Sequence, residues 1–102
     1  MKNASNTHAA DAAVLAIASH PVADYAAWRA VYDSFSDAQK AGGVLKEAVF
    51  RDATDPNKIT ILHYFTTLDE ATAFFSSEDL KKGMMEAGVL APPTISFAMT
   101  AD

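Results

Sequence analysis

The spacing of apolar residues changes period several times along the chain, and each change marks a predicted element. Residues 57–67 alternate strictly, with Ile59, Ile61, His63 and Phe65 on one face and Thr60, Leu62, Tyr64 and Thr66 on the other. Both faces carry large apolar groups, so this strand needs cover on both sides. Residues 12–19 behave alike: Val14, Leu15 and Ile17 occupy both faces of a short apolar run that Pro21 ends. Between these strands the period lengthens. Tyr25, Trp28, Tyr32, Phe35 and Gln39 recur every three or four residues. That spacing predicts one helix with a heavily aromatic face, capped by Asp24 and stopped at Gly42–Gly43. Arg29 and Asp33 share its other side at i,i+4 spacing.

Alternation returns in residues 44–52, a second strand, and Asp55, Pro56 and Asn57 supply the turn that joins it to 57–67 as an antiparallel hairpin. Residues 68–75 form a short helix whose Asp69 and Glu70 suit its positive end. Ser76 or Ser77 restarts a helix over 78–87, with Leu80, Met84 and Ala87 as its apolar line and Gly88 as its stop. Pro92 and Pro93 enforce an extended entry into a fourth strand, 94–100, with Ile95, Phe97 and Met99 on one face.

The order is βαββαβ with the second helix broken. It predicts an α+β, ferredoxin-like domain over residues 12–102, a four-stranded antiparallel sheet with both helices on one face. Residues 1–11 are small and polar and read as a tail rather than a signal peptide. The helices leave one sheet face open although strands one and three are apolar on both. Each large side chain left out of a core forfeits about 1.5–3 kcal/mol of burial. A homodimer packed sheet to sheet, forming a dimeric α/β barrel, is therefore expected.

Composition narrows the function. Lys and Arg total 8 against 13 Asp and Glu, a net charge of −5, so no basic surface favours nucleic acid or an anionic membrane. The chain has no cysteine, which excludes thiolate nucleophiles and thiolate metal sites and fits a cytoplasmic location. No apolar run is long enough to span a membrane. His8, His20 and His63 show no HxH or HExxH spacing, and no phosphate-binding loop or GxSxG elbow occurs. No metal and no cofactor is expected.

The candidate chemistry rests on few residues. His63 is placed among apolar neighbours, where it reads either as a tuned base or as a hydrogen-bonded core histidine. Trp28, Tyr32 and Tyr25 read either as the lining of a small-molecule pocket or as ordinary helix core. His20 stands at a predicted strand-to-helix corner, a place for a ligand contact or for a solvated side chain. Met84 and Met85 read as helix packing, and Glu47 with Arg51 as an exposed pair.

The segments HPVADYAAWRAVYD, GGVLKEAVFRDATDPNKITILHYF, FFSSEDLKKGMMEAGV and PPTISF resemble the dimeric α/β-barrel proteins of the antibiotic biosynthesis monooxygenase-like branch. The resemblance runs from about His20 to Met99. It implies a homodimer with an apolar pocket between helices and sheet. It also implies oxygenation without flavin or metal, of a phenolic or polycyclic substrate that supplies the electrons once deprotonated. His63 would then be the base, with Trp28 and Tyr32 shaping the cavity. The Asn, Trp and His set of haem-degrading relatives does not map onto this sequence. Two competing readings use the same pocket, a non-catalytic ligand-binding or stress-associated protein and an isomerase or cyclase.

Overall fold

In residues 12–101, the part of the chain that the computed structural model describes, strand β1 (Val14–Pro21) is followed by helices α1 (Tyr25–Ser34) and α2 (Ser36–Ala41). Strands β2 (Lys46–Arg51) and β3 (Lys58–Phe65), helices α3 (Leu68–Phe75) and α4 (Glu78–Glu86), and strand β4 (Thr94–Met99) complete the order. The tail expected for residues 1–11 lies outside the described residues. The strands form one antiparallel sheet in the order β2-β3-β1-β4, the ferredoxin-like arrangement. No helix among the described residues is long and apolar enough to cross a membrane.

Two boundaries differ from the sequence pattern. β1 does not end before Pro21; it runs through His20 and Pro21, which pair with Ile59 and Lys58. Strand β4 stops pairing with β1 at Ser19, so Pro21 stands at a local edge where its missing N–H orphans no neighbour. His20 is thus a strand residue, not a corner one. The expected single helix is broken at Phe35, whose N–H turns back onto the Tyr32 and Asp33 carbonyls. Ser34 Oγ donates to the Val31 carbonyl at 2.6 Å, a side-chain bond that competes with the helical ladder. The aromatic face nevertheless continues across the break, because Gln39 on α2 is buried as Trp28 is on α1.

Local chemistry sets the remaining elements. Asp24 accepts the Ala27 N–H at 2.9 Å to start α1, and Asn57 Oδ1 accepts the Tyr25 N–H at 3.1 Å, tying that start to the hairpin. The hairpin loop folds around Asp52 Oδ2, which accepts from Thr54 N, Thr54 Oγ1 and Asp55 N. A capping box between Thr67 and Glu70 starts α3, and Ser77 caps α4. Gly43, at φ 98°, ends α2 in the left-handed region where a side chain would be strained.

Strand alternation assigns the two faces. Val14, Ala16, Ala18 and His20 of β1, with Ile59, Ile61, His63 and Phe65 of β3, lie under the helices and are buried. Leu15, Ile17, Leu62 and Tyr64 point to the open face and remain half-buried, while Phe50 there is 56% exposed. The core beneath the helices falls into two clusters. One gathers Val22, Trp28, Ile59, Ile61 and Ala87; the other gathers Val14, Ala16, Phe65 and Ala71.

Candidate functional site

His63 and Tyr32 occupy the ground between these clusters. His63 is 3% exposed, on β3, with the rings of Phe74 and Phe75 from α3 at 5.5 and 5.9 Å. On its other side Tyr32 stacks at 6.2 Å, and the Tyr32 hydroxyl lies 3.0 Å from His63 Nε2. The same hydroxyl is 2.6 Å from Glu47 Oε1. Glu47 sits directly opposite His63 in the β2–β3 register, so the hairpin delivers the carboxylate to the edge of the site.

These distances settle the imidazole tautomer. A phenol has one proton, and an ionised carboxylate only accepts, so Tyr32 donates to Glu47. The phenol oxygen then accepts from His63, which must carry its proton on Nε2. Nδ1 is left as a bare lone pair. It is buried and has no hydrogen-bond partner among the described residues. Burial drives the His63 pKa down to about 4 against a smaller opposing pull from Glu47, so the ring is neutral at pH 7. Burial also raises the Tyr32 pKa, reinforced by Glu47, with Gln39 and Arg29 opposing, and this keeps the phenol protonated as a donor.

His63 lines an apolar cavity between sheet and helices, together with His20, Trp28, Tyr32 and Gln39. His20 is 4% exposed, packs against Trp28 at 5.8 Å between ring centroids, and also has an unpartnered Nδ1. Burial lowers its pKa, with the backbone carbonyls of Pro21 and His20 acting the other way. Trp28 stacks on Tyr32 at 4.8 Å, so one aromatic row links the two histidines.

The residues singled out from the sequence are therefore placed unequally. His63, His20, Trp28 and Tyr32 come together around one cavity. Tyr25 does not line it: the ring lies at the outer end of the row against Trp28, under the Arg51 guanidinium at 3.9 Å. The expected Glu47–Arg51 pair is not formed, since Glu47 takes the Tyr32 hydroxyl and Arg51 Nε donates to the Pro56 carbonyl. Met84 lines the cavity, whereas Met85 is 81% exposed. Gln39, Phe74 and Phe75 were not candidates for the site, and Glu47 was read only as half of an exposed pair with Arg51; a hairpin register centred on Asp55 is the signal that points to Glu47. Among the described residues no three His, Asp or Glu side chains gather as a metal site requires.

Neither a family model nor a curated protein matches the sequence. Solved structures do match in shape. A candidate antibiotic biosynthesis monooxygenase from Bordetella bronchiseptica is similar with a TM-score of 0.74 and 19% identity, over 86% of this chain and 96% of that one. A second candidate, from Caulobacter crescentus, gives 0.71 and 16% over 90% and 92%. SnoaB, a cofactor-independent oxygenase from Streptomyces nogalater, gives 0.71 and 11% over 87% and 93%. This chain has the antibiotic biosynthesis monooxygenase-like fold. TM-scores of that size at such low identity establish the shared fold alone, and any chemistry must come from the side chains this chain places on it. Within the monooxygenase-like fold those are a neutral imidazole with a free lone pair, a phenol and a carboxylate in series, and an apolar cavity.

Proposed function

We propose that this chain is a cofactor-independent oxygenase of phenolic or polycyclic compounds, with His63 as its base. The observation that carries the reading is the buried, unpartnered Nδ1 of His63, held as an acceptor by the Nε2–Tyr32–Glu47 series. The substrate O–H proton passes to Nδ1. An imidazole of such low basicity holds an added proton poorly on its own. The series offsets this, because Nε2 gives its proton to Tyr32 as Tyr32 gives its own to Glu47.

The phenolate is then the reductant and dioxygen the oxidant. Oxygen adds at the ring carbon para to the phenolate, forming a hydroperoxide. Loss of water, which takes that carbon's hydrogen, leaves a quinone. In balance, phenol and dioxygen give quinone and water, and the substrate supplies all four electrons. SnoaB, named a cofactor-independent oxygenase, lends the reading support through its shared fold.

We propose also that the working form is a homodimer packed through the open sheet face, where Leu15, Ile17, Leu62 and Tyr64 are half-buried and Phe50 is exposed.

The test is oxygen uptake by purified, metal-free protein with anthrones, whose carbon para to the phenolate bears hydrogen, compared with His63→Ala. Uptake that needs both the protein and His63 supports the reading; uptake indifferent to His63 removes the base assignment. Proton-transfer isomerisation is a second reading, favoured by the second unpartnered imidazole, His20, in the same cavity. It would show as exchange of substrate C–H hydrogen with solvent deuterium, without oxygen consumption.

A further inference from the structure

The cavity at His63 is too small for the substrates just proposed. It offers about 50 Å³, against the roughly 150 Å³ of a cavity known to take up benzene. By the same measure a cleft of about 540 Å³ lies on the far side of its wall, between α2, α3 and α4. Phe35, Phe74 and Leu80 line both spaces. They are the partition between a reactive but narrow chamber and a roomy but unreactive one.

Two glycines hold the partition shut. A Cβ on Gly83 would stand 1.9 Å from the Phe35 ring, and one on Gly42 would stand 2.7 Å from the Phe74 ring. Each phenylalanine therefore lies in a slot that exists because the backbone opposite it, within α4 at Gly83 and just past α2 at Gly42, is bare. Phe35 is also the residue at the break between α1 and α2, so its backbone is outside either helix. A residue so placed swings with a change in one or two dihedrals rather than by unwinding a helix.

We infer that Phe35 and Phe74 are the specificity-determining residues of this site: they form a gate whose opening joins the His63 cavity to the cleft, so that the reacting ring lies at His63 and the remainder of the substrate in the cleft. The inference rests on the proposed oxygenase pocket but makes its own claim about which surface holds the ligand. Together the two spaces are of the size that encloses a ligand of several rings. The cleft is also lined by Glu70, Ser77 and Asp79, polar groups suited to hydroxyls on the ligand.

The test uses binding, read without turnover. Trp28 is the chain's only tryptophan and lines the cavity, so quenching of its fluorescence reports a ligand at the inner chamber. The probes are dithranol, a three-ring anthrone, and phenol, titrated without oxygen. Ala73→Phe fills the exposed cleft without touching the His63 cavity. It should weaken dithranol at least tenfold and leave phenol, which needs the gate displaced but not the volume of the cleft, within about threefold. Phe35→Ala should bind dithranol at least tenfold more tightly, because no closed gate has to be opened first. Phe35→Leu serves in its place should the alanine variant fail a circular dichroism check.

Equal dithranol affinity in wild type, Ala73→Phe and the Phe35 variant would overturn the gate, as would dithranol failing to bind any of them. Cleft-dependent binding without oxygen uptake would instead leave the gate standing and remove the oxygenase reading.

Discussion

The Tyr32 hydroxyl donates a hydrogen bond to Glu47 at 2.6 Å and accepts one from His63 Nε2 at 3.0 Å, so a surface carboxylate fixes which nitrogen of a buried imidazole is basic. Removing the hydroxyl frees the ring to take the other tautomer. Tyr32→Phe keeps the stacking on Trp28 and should lower oxygen uptake by about a hundredfold, the lower end of the span usual for a positioned proton-transfer group. The expected signature is a nitrogen NMR pattern in which His63 no longer holds a single tautomer, with an unchanged circular dichroism spectrum.

Stability should depend on acidity through His63. Its pKa is about 4 in the folded chain and 6.5 when exposed. As pH falls below about 6.5, the unfolded chain gains a proton that the folded one refuses. Stability present above that pH is therefore lost progressively down to about 4. The loss is on the order of 3 kcal/mol, and His20, shifted the same way by burial, adds to it. Urea melts between pH 7 and 4 should show a falling midpoint, and a flatter one in His63→Gln. A midpoint independent of pH in the wild type would contradict the burial of a neutral imidazole.

Much of this site was legible in the chain before its fold. The 3.6-residue period put Trp28 and Tyr32 on one face, and the strand period put His63 with Ile59, Ile61 and Phe65. Four things escaped for physical reasons. Which face of β3 met the helices was hidden because Leu62 and Tyr64 opposite are as apolar as Ile61. Glu47 looked like a solvated charge, since its role appears only when the hairpin register sets it across from His63. The break at Phe35 depends on Ser34 turning onto Val31, a local choice the periodic pattern does not encode. His20 was read as a corner residue because proline was taken to end β1.

Gly83→Ala tests the fit of Phe35 on α4. In an open helix this change would stabilise by about 1 kcal/mol through propensity. Here the new carbon would stand 1.9 Å from the Phe35 ring, which must leave its slot. Overpacking typically costs about 1–3 kcal/mol, so the net effect should be a loss of stability, seen as a lower urea midpoint. A gain would show that the ring moves freely.

Leu62→Glu tests the open sheet face. Leu62 lies between Ile17 and Ala48 in register, at the centre of that face, and makes no part of the cavity. Light scattering should give a dimer mass for the wild type and a monomer mass for the variant at micromolar concentration. A monomeric wild type would remove the dimer proposal.

The row from His63 through Tyr32 to Glu47 has a consequence for how the molecule breathes. It runs between the cluster under α1 and α4 and the cluster around α3, which form separate apolar groups joined through the rings of Tyr32, His63 and Phe74. Each half should then open as its own cooperative unit. In hydrogen–deuterium exchange the amides of α3 would leave protection together, at a rate distinct from those of α1, while the central strands exchange last. Access to the buried imidazole would then be timed by the looser half, not by unfolding of the whole.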